Sequence, residues 1–156
     1  MEGDHFRQPL LQESYEERQP KISPDGRWMA YTSEEWGKSE VYVRPFPDVN
    51  KGKWQVSTSG GEDPLWSPDG RELFYRNGNS VMAVAVQTEV TFKYGKTEAL
   101  FQGKYDSTWD ISRDGKRFLM LKALTSSTAG PAAEGPRKIN IVVNWTEELK
   151  QRVPVK

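Results

Sequence analysis

Ser23-Pro24-Asp25-Gly26-Arg27 returns as Ser67-Pro68-Asp69-Gly70-Arg71, 44 residues on, and in altered form as Ser112-Arg113-Asp114-Gly115-Lys116, 45 residues later. Each copy is turn chemistry: proline presets φ, aspartate bonds its own backbone and glycine accepts a positive φ. Around the first copy, Pro20–Ser23 reads as a short strand and Trp28–Ser33 as a second. A polar loop over 34–39 leads to Glu40–Arg44, and Lys53–Ser57 alternates as a fourth. Gly60-Gly61 then resets the cycle.

The second copy repeats this order. Asp63–Ser67, Glu72–Arg76, Val81–Val86 and Thr97–Phe101 are its expected strands, with Asn77-Gly78-Asn79 as a tight hairpin. Val81–Val86 is nearly all apolar, the pattern of a strand buried on both faces. The third copy offers Ser107–Ser112, Arg117–Leu121 and, after an Ala/Ser/Gly/Pro-rich stretch over 123–138, Ile139–Val143. No fourth strand follows it. Asn144 and Glu147 fit a capping box, so 144–152 is expected as a short helix ending in Lys150 and Arg152.

A period of about 40–45 residues with four strands per repeat is that of a propeller blade. The expected fold is all-β: a single domain over 1–156 of three four-stranded blades plus the short C-terminal helix. Blade one covers 19–58, blade two 62–102 and blade three 105–145. Pro9-Leu10-Leu11-Gln12 stands where the outer strand of a preceding blade would lie, giving a lone strand over 8–12. Three blades do not close a ring, since propellers typically have four to eight. Two copies about a two-fold axis would close one. Pro9, Leu10, Leu11 and Gln12 of each copy would then complete the blade that lacks a strand after Ile139, Ile141 and Val143. A homodimer forming one six-bladed ring is the expected assembly.

Bulk properties exclude several function classes. Lys plus Arg and Asp plus Glu both number 22, so net charge is zero and no basic face for nucleic acid is expected. There is no cysteine, hence no disulfide framework or thiolate metal site. The one histidine, His5, lies near the N-terminus, which removes most imidazole catalysis and most zinc sites. No cofactor and no metal are expected. No apolar run approaches the roughly 20 residues of a membrane span. Residues 1–9 are polar, so no signal peptide and no membrane contact are expected, and the chain reads as soluble. Six tryptophans suit the spaces between packed sheets.

The segments Pro20-Lys21-Ile22-Ser23-Pro24-Asp25-Gly26-Arg27-Trp28-Met29-Ala30-Tyr31 and Pro64-Leu65-Trp66-Ser67-Pro68-Asp69-Gly70-Arg71 resemble the TolB-type, WD-repeat-like propeller repeat of bacterial proteins. The tail Asn140-Ile141-Val142-Val143-Asn144-Trp145-Thr146-Glu147-Glu148-Leu149-Lys150 is similar to the end of propellers appended to bacterial serine/threonine kinases. The resemblance covers about residues 8–154. It implies a six-bladed parent ring of which this chain holds the C-terminal half. Arg113 departs from the motif, leaving Asp114-Gly115 to make the third turn. The chain has no kinase glycine loop, His-Arg-Asp or Asp-Phe-Gly, and no Gly-x-Ser-x-Gly of the hydrolases that similar propellers gate.

Asp25, Asp69 and Asp114 lack the dense Asp/Asn run of a calcium loop and read as turn residues. Arg27, Arg71 and Lys116 read as solvated residues or partners of those aspartates. Trp109-Asp110 falls on a first strand, so its match to the WD dipeptide is coincidental. Asn144-Trp145-Thr146 fits a glycosylation sequon, though helix-start chemistry explains it better.

Candidate ligand contacts are the polar residues at the mouth formed by the first strands: Arg18, Glu62 and Ser107, then Gln19, Asp63 and Thr108. Trp36, between Glu34-Glu35 and Gly37, is either a ligand contact or folded back on its own blade.

Three functional readings stay open. The chain is a non-enzymatic module for protein interaction or sensing of a peptide or small ligand. Alternatively it is an excised or designed half ring without its own activity. The third is a hydrolase using channel carboxylates such as Asp63 and Asp106.

Overall fold

The computed structural model describes residues 9–122 and the backbone of 138–143. Eleven strands lie among these residues. Blade one is β1 (Glu17–Ile22), β2 (Trp28–Ser33), β3 (Glu40–Pro45) and β4 (Trp54–Gln55). Blade two is β5 (Glu62–Trp66), β6 (Glu72–Asn77), β7 (Ser80–Gln87) and β8 (Lys93–Gln102). Blade three is β9 (Trp109–Ile111), β10 (Arg117–Lys122) and β11 (Lys138–Val143). Every neighbouring pair is antiparallel, and each sheet runs in chain order. This is a partial β-propeller.

Strand ends differ from the sequence reading for local reasons. The fourth strand of blade one shrinks to two residues because the ladder breaks after Gln55: the Val56 and Ser57 N–H groups both donate to the Val41 carbonyl, and Ser57 Oγ accepts from the Val41 N–H. β8 runs ten residues and absorbs two register shifts against β7. At one of these shifts Ala85 is exposed, whereas Val81, Ala83, Val84 and Val86 are buried as expected. The expected helix over 144–152 and the stretch 123–137 lie outside the described residues.

Two apolar layers join the blades. Trp28, Ala30, Val41, Val43 and Val56 of blade one meet Trp66, Leu73, Tyr75, Val84, Val86 and Phe92 of blade two. Phe92 sits among Trp28, Trp54 and Trp66, with ring centroids at 5.5, 5.7 and 6.4 Å. The second layer sets Leu65, Phe74, Val81 and Ala83 against Phe118 and Met120, flanked by Trp109 and Ile111. Phe118 meets Phe74 edge-on at 5.0 Å and stacks with Trp109 at 5.5 Å. Such aromatic pairs contribute about 0.5–1.5 kcal/mol each beyond their buried area.

A third cluster lies on the other face of blade one: Met29, Tyr31, Tyr42 and Val49. Among the described residues no blade stacks there. Leu11 packs on it instead, and residues 9–12 form no strand. Leu10 is exposed.

The three repeated turns fold alike. Ser23 Oγ donates to Asp25, and the Arg27 N–H donates to the same carboxylate at 3.1 Å. Ser67–Asp69–Arg71 and Ser112–Asp114–Lys116 repeat these contacts. Gly26, Gly70 and Gly115 all have φ near +70°, where a side chain is strained. Each turn leans on the next. A Cβ on Gly70 would lie 3.8 Å from Pro24 Cδ, and one on Gly115 would lie 3.6 Å from Pro68 Cδ.

Candidate functional site

The first strands β1 and β5 both carry a bulge. Pairing with the second strand shifts between Arg18 and Lys21 in one and between Glu62 and Leu65 in the other. At the bulges, Gln19 and Asp63 hold φ of 55° and 53°, the two positive values among non-glycine residues that are described. Each precedes a proline, a position where α-region backbone is already disfavoured. Left-handed backbone at a non-glycine residue costs of order 1–3 kcal/mol and persists where the surroundings enforce it.

The bulges turn both side chains toward each other across the blade boundary. Gln19 Nε2 donates to Asp63 Oδ1, and the Asp63 N–H donates to Gln19 Oε1 at 3.1 Å. Thr32 Oγ1 donates to the same Gln19 oxygen at 2.8 Å. Burial and the neighbouring Glu62 charge push the Asp63 carboxyl above its ordinary range, although Arg76, Arg18 and Lys21 oppose them.

Arg18 gathers the rest of the rim. Its guanidinium lies 3.1 Å from Glu34, 3.4 Å from Glu16 and 3.7 Å from Glu62, and it donates to Ser39 Oγ at 2.8 Å. Thus Arg18, Gln19, Glu62 and Asp63 form one cluster. The Arg18–Glu34 pair fixes one end of the loop that carries Trp36. Trp36 itself is 77% exposed, so it does not fold back on its blade. Its neighbour Glu35 is engaged by Lys53.

Ser107 and Thr108 are exposed, and neither contacts the Gln19–Asp63 pair. Ser107 instead bonds Asp106 through N–H and Oγ. Arg76 lies between the two carboxylate residues, its charge acting on Asp63 while it donates to the Asp106 carbonyl at 2.9 Å.

Arg76 was not foreseen. It is 5% exposed and donates to the carbonyls of Gly78 and Asp106, stitching blade two to the approach of blade three. Its repeat position matches Thr32, the residue that holds Gln19, and that equivalence is the signal that would have found it. Arg27 also does more than pair with Asp25 at 2.8 Å. Its guanidinium donates to the carbonyls of Thr88 and Glu89, both at 3.0 Å, and so clamps blade two's β7–β8 connection. The third turn's aspartate pairs with Arg117 rather than Lys116.

Among the described residues, no group of three or more His, Cys, Asp or Glu gathers where a metal ion would sit. Nor is any helix there long and apolar enough to cross a membrane.

No protein-family model matches the chain, and no curated protein matches it. Solved structures do. TolB from Acinetobacter baumannii is 21% identical with a TM-score of 0.55, covering 81% of this chain and 29% of its own. Oligogalacturonate lyase from Vibrio parahaemolyticus is 18% identical with a TM-score of 0.54, over 68% of this chain and 28% of its own. Pyrococcus horikoshii acylaminoacyl peptidase is 13% identical with a TM-score of 0.60, over 85% of this chain and 24% of its own. At these identities the likeness is one of fold: the chain is a partial β-propeller similar in fold to TolB. The chain spans less than a third of the length of each of these structures. None of the three is a kinase-appended propeller, and most of the tail that carried that resemblance lies outside the described residues.

Proposed function

We propose that this TolB-like propeller sector is a non-enzymatic recognition module whose inner rim binds a peptide or a small polar ligand, and that a second copy closes its ring. The observation that carries the reading is the Gln19–Asp63 pair. Two repeat-equivalent residues hold costly backbone conformations and place an amide and a carboxyl side by side across a blade boundary. Amide and carboxyl together recognise backbone-like donors and acceptors, and the exposed Trp36 offers an aromatic face on the loop anchored by Arg18. Ring closure is supported by the apolar cluster Met29, Tyr31, Tyr42 and Val49 on the far face of blade one, against which no described blade packs, and by the exposed Leu119 on blade three. Each closed junction would bury area on the scale of obligate dimers, on the order of 2,000 Å² or more in total.

Titration of tryptophan emission with a panel of short peptides, with free and with blocked termini, tests the rim. The expected result is saturable quenching that disappears in Trp36→Phe and weakens about tenfold or more in Asp63→Asn. Binding unchanged in Asp63→Asn, or no saturable binding up to millimolar peptide, would overturn the reading. Peptide or glycoside hydrolysis lost in the same variant would replace it with carboxylate catalysis.

A further inference from the structure

Resting on the ring closure proposed above, we infer that the free face of blade one is the docking face for blade three of a second copy, and that residues 9–16 are a strap that occupies this face until the ring closes. The repeat identifies the face. Met29 and Tyr31 stand six and eight residues after Ser23, as Leu73 and Tyr75 do after Ser67, and Phe118 and Met120 after Ser112. Leu73 and Tyr75 pack against blade one, and Phe118 and Met120 against blade two. Each such pair faces the blade before it. Met29 and Tyr31 face no described blade.

Blade three carries the matching surface. Arg117, Leu119 and Leu121 occupy the repeat positions of Trp28, Ala30 and Thr32, and Trp28 and Ala30 face the blade that follows. On blade three Leu119 is 42% exposed. A junction between one copy's blade three and the other's blade one therefore repeats the two junctions already inside the chain. Two-fold symmetry makes this junction twice and closes the ring.

The strap covers the face of blade one without completing it. Leu11 lies on Met29, Tyr31, Tyr42 and Val49. Glu13 lies 3.3 Å from the Arg44 guanidinium, and the Lys53 ammonium sits 5.5 Å from the Tyr15 ring centroid. Beneath these contacts Glu17 Oε1, Ser33 Oγ and Tyr42 OH are buried without a hydrogen-bond partner. They are three of the four such atoms among the described residues, and all lie on this face. Finished interfaces pair their buried polar groups. A strap in place also removes chains from the docking-competent population and so weakens the observed dimer. Once released, Pro9–Gln12 would be free to lie along the edge of the second copy's β11.

Sedimentation equilibrium on the full chain tests this. Glu13→Arg turns the contact with Arg44 into a repulsion and should tighten the dimer about three- to tenfold, with circular dichroism unchanged. Glu13→Gln should act in the same direction but less. Leu119→Lys, on the opposing surface, should abolish the dimer. A dimer that neither glutamate variant tightens would overturn the strap and leave the assembly standing. Persistence of the dimer in Leu119→Lys would overturn the docking face. If the chain and all variants stay monomeric at several hundred micromolar, both the inference and the ring closure fail.

Discussion

β2 and β10 hold the same place in their blades and are buried differently. All six residues of β2, Trp28–Ser33, are buried, whereas β10 buries Phe118 and Met120 and exposes Arg117, Leu119 and Lys122. Each strand has a described blade on only one side. On the far face of β2, Leu11 of the strap packs together with Tyr42, Phe46 and Val49. The difference teaches that about eight residues of irregular chain can stand in for a blade sterically. They do so less well in hydrogen bonding, since the unpaired atoms Glu17 Oε1, Ser33 Oγ and Tyr42 OH lie under them.

Variants can break this comparison. The largest effect is expected on the face the two strands share in kind. Phe118 is fully buried between blades two and three, and Phe118→Ala should cost about 3–5 kcal/mol in urea unfolding. A loss below about 1 kcal/mol would mean that blade three is not docked in solution. The far faces should then separate β2 from β10. Leu11→Ala uncovers the first and should cost about 1–2 kcal/mol, because Leu11 is half-buried. Leu119→Lys touches the bare face and should stay within about 0.5 kcal/mol when measured on the monomer. Equal costs for the two would erase the distinction.

The smallest effect belongs to the turns, where all three blades agree. Burial works against the Asp25 carboxylate, but bonds from Ser23, the Arg27 N–H and the Arg27 guanidinium outweigh it and hold it below its ordinary value. Asp69 and Asp114 are held low chiefly by Ser67 and Ser112. A carboxylate lowered by folding adds stability that is fully present above its unfolded pKa of about 3.9. That stability is lost as pH falls through the lower folded value. Melting temperature should therefore drop as pH is lowered through 4, and less steeply in Asp69→Asn. Identical slopes would remove the turns from the acid response.

The repeat, its turns and its second and third strands were legible because they rest on local signals: Pro-Asp-Gly and period-two apolar patterning. Arg18, Glu62, Gln19 and Asp63 could be placed at the rim by counting from the turns. Their positive φ values could not, because a bulge breaks the alternation that a strand is recognised by. The proline after each bulge was the available hint. The reach of Arg27 to Thr88 and Glu89 spans some sixty residues and left no local trace. Residues 9–12 read as a strand because their pattern suits one, yet the single chain offers them a face rather than an edge.

The leaning of each Pro-Asp-Gly turn on the next fixes where this chain can change length. Pro24 lies beside the Gly70 turn and Pro68 beside the Gly115 turn, so the three turns follow one another from blade to blade. An inserted residue there would have to shift the neighbouring blade with it. In the stretch between β3 and β4, Val49 is buried, but Asn50 and Lys51 of the short 3-10 turn are exposed. Length variation among related sequences should therefore collect around the exposed Asn50 and Lys51 and avoid the repeated turns, whose spacing sets the step between successive blades.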